Sequence, residues 1–163
     1  LVKQPRESWA ERDKTGNTLL HYACFGPNVA AVVALLQSGL VDVNAHDLWG
    51  WTPAHWAALN AQPRVLEVLC AAGANLRACN EDGSSPIELA VWDAQVNSEP
   101  VHVLVANGVR LSTVREDRRE YITPELEAFE RGVLRCRAAV VALLRVKRAS
   151  RQLVRCLYPA HHF

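Results

Sequence analysis

Six histidines, five cysteines and seventeen carboxylates would suffice for a metal site or an acid–base pair, so their spacing is the first question. Cys24, Cys70, Cys79, Cys136 and Cys156 are odd in number, far apart and never in a C-x-x-C pair, which suits reduced thiols rather than a zinc knot or a disulfide frame. His102, His161 and His162 have no cysteine or acid at ligand spacing. No phosphate-cradling glycine loop, nucleophile elbow, metalloprotease helix or paired-carboxylate arrangement is present. The reading is therefore no catalytic residue, no metal, no cofactor and no small-molecule substrate. What the chain does concentrate is a run of large apolar side chains: Leu48, Trp49 and Trp51 stand close together. Aromatic side chains in desolvated pockets carry much of the energy of protein interfaces, so recognition of another protein is the chemistry they suit.

The composition agrees. Half of the 163 residues are hydrophobic, 21% are charged and the net charge is +1, the profile of a folded globular chain with enough length for a core. A globally basic nucleic-acid binder is not indicated. No apolar run reaches the roughly 18 to 20 residues of a membrane span, and Leu1–Ala10 lacks the apolar centre of a signal peptide. A cytoplasmic or nuclear protein is expected, and the absence of an initial Met leaves room for a longer or processed chain.

The elements that must carry these residues follow from an internal repeat. Asp13, Gly16, Thr18, His21 and Ala23 recur at an offset of 34 as Asp47, Gly50, Thr52, His55 and Ala57, and more weakly as Asn80, Gly83, Ser85, Glu88 and Ala90. Each copy continues into an apolar helix ending at Gly39, Gly73 or Gly108. The chemistry fits the spacing: glycine takes the positive φ of a tight turn, Thr or Ser caps a helix, and Pro53 and Pro86 occupy the tolerant first helical position. The small Ala23, Ala57, Ala58 and Ala90 let paired helices approach.

These residues, with the Asp42-Val43-Asn44-Ala45 and Gly73-Ala74-Asn75-Leu76 exits, resemble the ankyrin repeat over about Asp13 to Leu111. The resemblance implies an all-α ankyrin-repeat solenoid: a capping segment at 1–12, repeats at 13–46, 47–79 and 80–111, and a linker with a C-terminal helical region at 112–163. Leu19 stands where the first Pro would be, Glu88 where the third His would be, and Asp93 to Glu99 carries an insertion. Ser8 reads as a helix cap and Trp9 as a cover for the first repeat, since solenoids need covered ends.

The resemblance also implies a site. Ankyrin partners lie along the concave side, on hairpin tips and first helices, which here places Leu48, Trp49, Trp51 and Asp82 at tips and Phe25, Leu59, Asn60 and Trp92 on the helices. The expected function is a scaffold or adaptor that binds a protein or peptide through this aromatic face. Tyr22 and Trp56 read as interior, and His21 and His55 as structural, bonded to Thr18, Thr52 and neighbouring loops.

Beyond Leu111, the mixed charges of Ser112 to Glu120 read as a solvated connector or helix surface. Thr123, Pro124 and Glu125 then open a helix, along which Ile122, Leu126, Phe129, Val133, Cys136, Val140 and Leu143 recur at steps of four and three. Such a stripe must bury against something: the last repeat, or a helical partner helped by Val141, Leu144 and Val146. Charge divides between the halves: residues 1–123 hold ten Lys+Arg against fourteen Asp+Glu, and residues 124–163 hold eight against three. The cluster from Arg145 to Arg151 reads as a solvated helix end, with an import signal, an acidic-partner contact or a phosphorylation site at Ser150 as alternatives. A ubiquitin-ligase-type adaptor or regulatory subunit acting through this helix is the alternative function. The helical box some ankyrin proteins use for ligase recruitment lacks its leucine here, where Gly132 and Gln152 precede Cys136 and Cys156.

Overall fold

The computed structural model describes residue 9, residues 11–92 and residues 97–157, with the side chains of Leu143, Leu144 and Val146 onward left out. Three helix pairs come first: α1 (Leu19–Phe25) with α2 (Val29–Gln37), α3 (Pro53–Leu59) with α4 (Pro63–Ala71), and α5 (Pro86–Trp92) with α6 (Glu99–Ala106). Two 3-10 turns, Leu111–Thr113 and Glu116–Tyr121, lead into α7 (Pro124–Leu157). The first helices stack α1 on α3 on α5, the second helices α2 on α4 on α6, and α7 lies on α6.

Small residues set the tightness of the first layer. Ala54, Ala57 and Ala58 of α3 and Ala90 of α5 are buried at 2% exposure or less, and no side chain longer than a methyl separates the backbones at those points. Larger residues fill the space between layers: Leu20, Val32, Leu66, Leu69, Ile87 and Leu104 are fully buried, each contributing roughly 1.5 to 3 kcal/mol. The connection between paired helices is three residues long in the first two repeats and six in the third, so the insertion lengthens the turn after Trp92; its residues 93–96 lie outside the described residues, as does Ser8. Trp9 is half-buried, consistent with a cover on the first repeat.

Hairpins project from one edge of the stack. In each, the first residue donates to the fifth, Asp13 to Asn17, Asp47 to Trp51 and Asn80 to Ser84, at 2.9 to 3.0 Å. Neighbouring hairpins join through Leu48 N–H to the Thr15 carbonyl (3.0 Å) and Glu81 N–H to the Trp49 carbonyl (2.9 Å). Gly50 adopts φ +75°, and a Cβ on it would meet the Glu81 amide at 3.2 Å, so the next hairpin seats on it. Gly83, at φ +72°, has nothing within 4 Å of that position. The hairpin row ends there.

The segment after the third repeat is solvated over most of 112–120, as expected, and departs from that reading at Val114 and Arg115. Leu111 and Val114 are buried, and Arg115 turns inward onto Glu88. Leu126 of α7 is buried, and Tyr121, Ile122 and Val133 are half-buried against the core. The expected stripe is thus buried only along its first turns. Phe129 packs on His102 with ring centroids 4.3 Å apart, Arg137 hydrogen-bonds the Ala106 carbonyl at the end of α6, and Cys136, Val140 and Val141 are exposed. The reason is length: α6 has 8 residues and α7 has 34, so the stripe outruns its partner.

Candidate partner-binding surface

The middle hairpin is built by one carboxylate. Asp47 Oδ1 accepts from the Trp49 and Trp51 amides, both at 2.9 Å, a local bond pattern that favours a turn over any extended alternative. Held this way, Trp49 stands outward at 51% exposure. Trp51 folds back half-buried, its ring 5.9 Å from His55 and 6.5 Å from Trp56.

The first helices supply the rest. Trp56 of α3 is the hub: Phe25 of α1 meets it edge-on at 6.0 Å and 60°, and Trp51 at 71°. Such T-shaped pairs are worth about 0.5 to 1.5 kcal/mol beyond the area they bury. Together Phe25, Trp49, Trp51, Trp56 and Leu59, with Asp47 and Asn60, line a cleft of about 360 Å³. Asn60 Nδ2 donates to the Trp56 carbonyl (2.8 Å), which fixes the end of α3 beside the cleft.

Five of the eight expected site residues meet here: Phe25, Trp49, Trp51, Leu59 and Asn60. Leu48, 62% exposed, sits on the tip outside the cleft. Asp82 is on the third tip, where its carbonyl takes a 3.4 Å bond from Arg115. Trp92 stacks on Tyr121 at 5.6 Å with the Arg118 guanidinium 5.4 Å over its ring, yet keeps 60% exposure.

Tyr22 departs from its expected interior place, whereas Trp56 packs against the core between repeats as expected, with one side facing the cleft. Tyr22 is not interior: it is 54% exposed and its hydroxyl donates to Asp13. The buried face of α1 is Leu20, His21 and Cys24, which turns position 22 outward. Trp56, the equivalent position of α3, is half-buried and forms the cleft floor. The signal available was the pairing of two amphipathic aromatics at one repeat position, a type suited to a wet edge.

The motif histidines stand behind this surface. His21 Nδ1 lies 3.1 Å from the Thr18 amide and 2.9 Å from its hydroxyl, while Nε2 lies 3.1 Å from the Trp51 carbonyl. His55 repeats this with Thr52 (3.1 and 2.8 Å) and the Ser84 carbonyl (3.0 Å). A backbone amide can only donate, so Nδ1 is unprotonated and Nε2–H donates to the next repeat. Burial holds both rings below the ordinary histidine pKa, against the raising effect of those carbonyls.

Glu88 answers differently. Its Oε2 accepts from the Ser85 amide (2.8 Å) and hydroxyl (3.1 Å), and its Oε1 from the Arg115 amide (3.1 Å) and Nε (2.9 Å). Burial pushes its carboxyl up, but these bonds outweigh it and hold the pKa below the ordinary value.

Comparison with known proteins agrees with this architecture. The family described as "Ankyrin repeats (3 copies)" matches residues 1–80 and 28–115. The chain belongs to the ankyrin-repeat family. Human protein phosphatase 1 regulatory subunit 27 is 32% identical over 89 residues, 55% of this chain and 57% of that protein. Xenopus tropicalis ankyrin repeat domain-containing protein 37 is 34% identical over 79 residues, 48% of each. The palmitoyltransferase AKR1 of Debaryomyces hansenii is 36% identical over 80 residues, 49% of this chain but 10% of that protein, and the likeness is confined to repeats. The chain thus spans from a tenth to somewhat over half of these relatives. Ankyrin repeats are protein–protein interaction modules rather than catalytic domains.

Proposed function

We propose that this ankyrin stack is a scaffold or adaptor that recognises a protein or peptide through the aromatic cleft on its concave face. The observation that carries the reading is the cleft itself: four aromatic rings from two repeats converge on one apolar hollow, with Phe25 and Trp49 left more than half exposed. Exposed aromatics grouped at a pocket are the usual anchors of protein interfaces. A relative named as a regulatory subunit fits an adaptor role. We further propose a cytoplasmic or nuclear setting, a reading supported by the free thiols of the described Cys24, Cys70, Cys79 and Cys136.

A second reading draws on α7, where Val140 and Val141 stay 54% and 47% exposed beyond the stack. There the chain would act as a ubiquitin-ligase-type adaptor or regulatory subunit through its C-terminal helix. One experiment separates the two. Bound proteins are quantified for the wild type, for Trp49→Ala, and for the chain cut after residue 137. Trp49 is half exposed at a hairpin tip, so its loss leaves folding stability within about 0.5 kcal/mol. The cleft reading expects Trp49→Ala to weaken the partner's affinity by roughly thirty-fold, with the truncation neutral. Capture that survives Trp49→Ala and vanishes on truncation overturns it in favour of α7.

A further inference from the structure

The face of α7 that the stack holds runs on past the end of α6. We infer that this continuation is a second binding surface, for an acidic amphipathic helix of a partner protein; it is separate from the cleft, and neither site depends on the other.

The surface continues a contact already made. Leu126 is buried, Glu130 takes the Leu111 amide at 3.0 Å, Val133 packs against the core and Arg137 reaches the Ala106 carbonyl at the end of α6. These four positions follow one another at steps of four, three and four, which is one line along a helix. The next positions on that line are Val141 and Leu144, with Val140 beside them. Val140 and Val141 are 54% and 47% exposed. Apolar residues at this spacing form the seam on which a second helix packs. α6 has 8 residues and fills the start of the seam. A helix laid beyond its end would prolong the same contact.

Charge selects the kind of helix. The three acids of α7, Glu125, Glu127 and Glu130, all precede Arg131, and from Arg131 to Leu157 there are eight Lys+Arg and no Asp or Glu. Arg135 and Arg145 are exposed, and neither joins an ion pair among the described residues. In sequence the line itself goes on as Arg148, Arg151 and Arg155, again at steps of four, three and four. Groups flanking a helix–helix seam choose the partner by opposite charge, so the fitting occupant sets apolar side chains on Val140 and Val141 and carboxylates along the rest.

Other occupants fit less well. A second α7, laid in either direction, would set basic flank against basic flank. Helices that lie on membranes carry their basic residues on the face opposite large apolar and aromatic anchors; here the basic positions share the apolar line, and no aromatic residue occurs from Arg131 to Leu157. A nucleic acid would bring phosphates to the arginines and nothing to the two valines.

The test uses the whole chain and three blocked, dye-labelled peptides of three heptads each: a leucine seam with glutamate flanks, a leucine seam with lysine flanks, and an alanine seam with glutamate flanks. Anisotropy reads affinity, and backbone amide shifts locate the contact. The first peptide is expected to bind about ten-fold more tightly than either of the others and to shift amides of α7 beyond Arg137. Val140→Gln combined with Val141→Gln, both at exposed helix positions that glutamine suits, should weaken it by about ten-fold, and Arg145→Glu by about three-fold. Trp49→Ala should leave it unchanged. Equal binding by the lysine-flanked peptide overturns the acidic partner, and equal binding by the alanine-seam peptide overturns the seam. Absence of binding at about 100 μM overturns both. Self-association of the chain that the double variant abolishes, or binding to phosphatidylserine vesicles in place of the peptide, gives the surface to a second copy or to a membrane and overturns the partner helix.

Discussion

The joints between repeats and the joint that closes the stack are made at one sequence position with opposite polarity. His21 and His55 present an N–H to a carbonyl of the following hairpin. Glu88, in the same place, presents a carboxylate and receives an amide and a guanidinium from Arg115. Arg115 also reaches the Asp82 carbonyl, the position that takes a hairpin amide in the two earlier repeats. In this stack the two donors meet the following hairpin, and the acceptor meets the side chain that closes the row.

Three experiments bear on that contrast. The largest effect is expected from His55→Ala, which leaves the buried Thr52 amide and Ser84 carbonyl without partners and opens a void in the middle of the stack. A loss of about 3 kcal/mol is expected in urea unfolding; a loss confined to a few tenths would make the histidine joint incidental.

Acid should find the two kinds of joint at different pH. The unfolded histidines take up protons below about 6.5, while burial keeps the folded rings neutral. Stability contributed by each His joint is therefore present above that pH and lost as pH falls below it, by up to about 1.4 kcal/mol per pH unit for each ring. Glu88 has the opposite protonation state, ionised when folded, and its depressed pKa places its contribution above the ordinary glutamate range, to be lost as pH falls through that range. Unfolding midpoints recorded from pH 8 to 3 check this: one descent near the ordinary histidine value and a second below the glutamate one.

The smallest effect should come from Glu88→Gln, which keeps one oxygen for Ser85 or Arg115 but removes the charge. Arg115 is 42% exposed on its side chain, so the loss is about 1 kcal/mol. Hydrogen exchange should localise it to α5 and the turns that follow, leaving α1 and α3 protected. Uniform loss of protection would mean that the closing joint supports the whole stack.

The repeats were legible because their signals are local and recur: a carboxylate two and four residues before the amides it binds, and a histidine three residues after its threonine. The closing joint was not. Arg115 lies 27 residues from Glu88, inside a charge run whose other members read as solvent-facing, and no repeat marks it. The outward turn of Tyr22 was not legible because seven-residue helices offer too few turns for periodicity to assign every face. On α7 the apolar stripe was visible, but its partner's length was not, and that length decides where burial stops. Of the eight site residues, the five that converge come from two adjacent repeats, while Trp92 belongs to the repeat that Tyr121 covers.

The unequal lengths of α6 and α7 have a mechanical consequence. At about 1.5 Å per residue, the 34 residues of α7 extend over roughly 50 Å, and among the described side chains Arg137 makes the last hydrogen bond to the stack. The remaining twenty or so residues form an outrigger of about 30 Å.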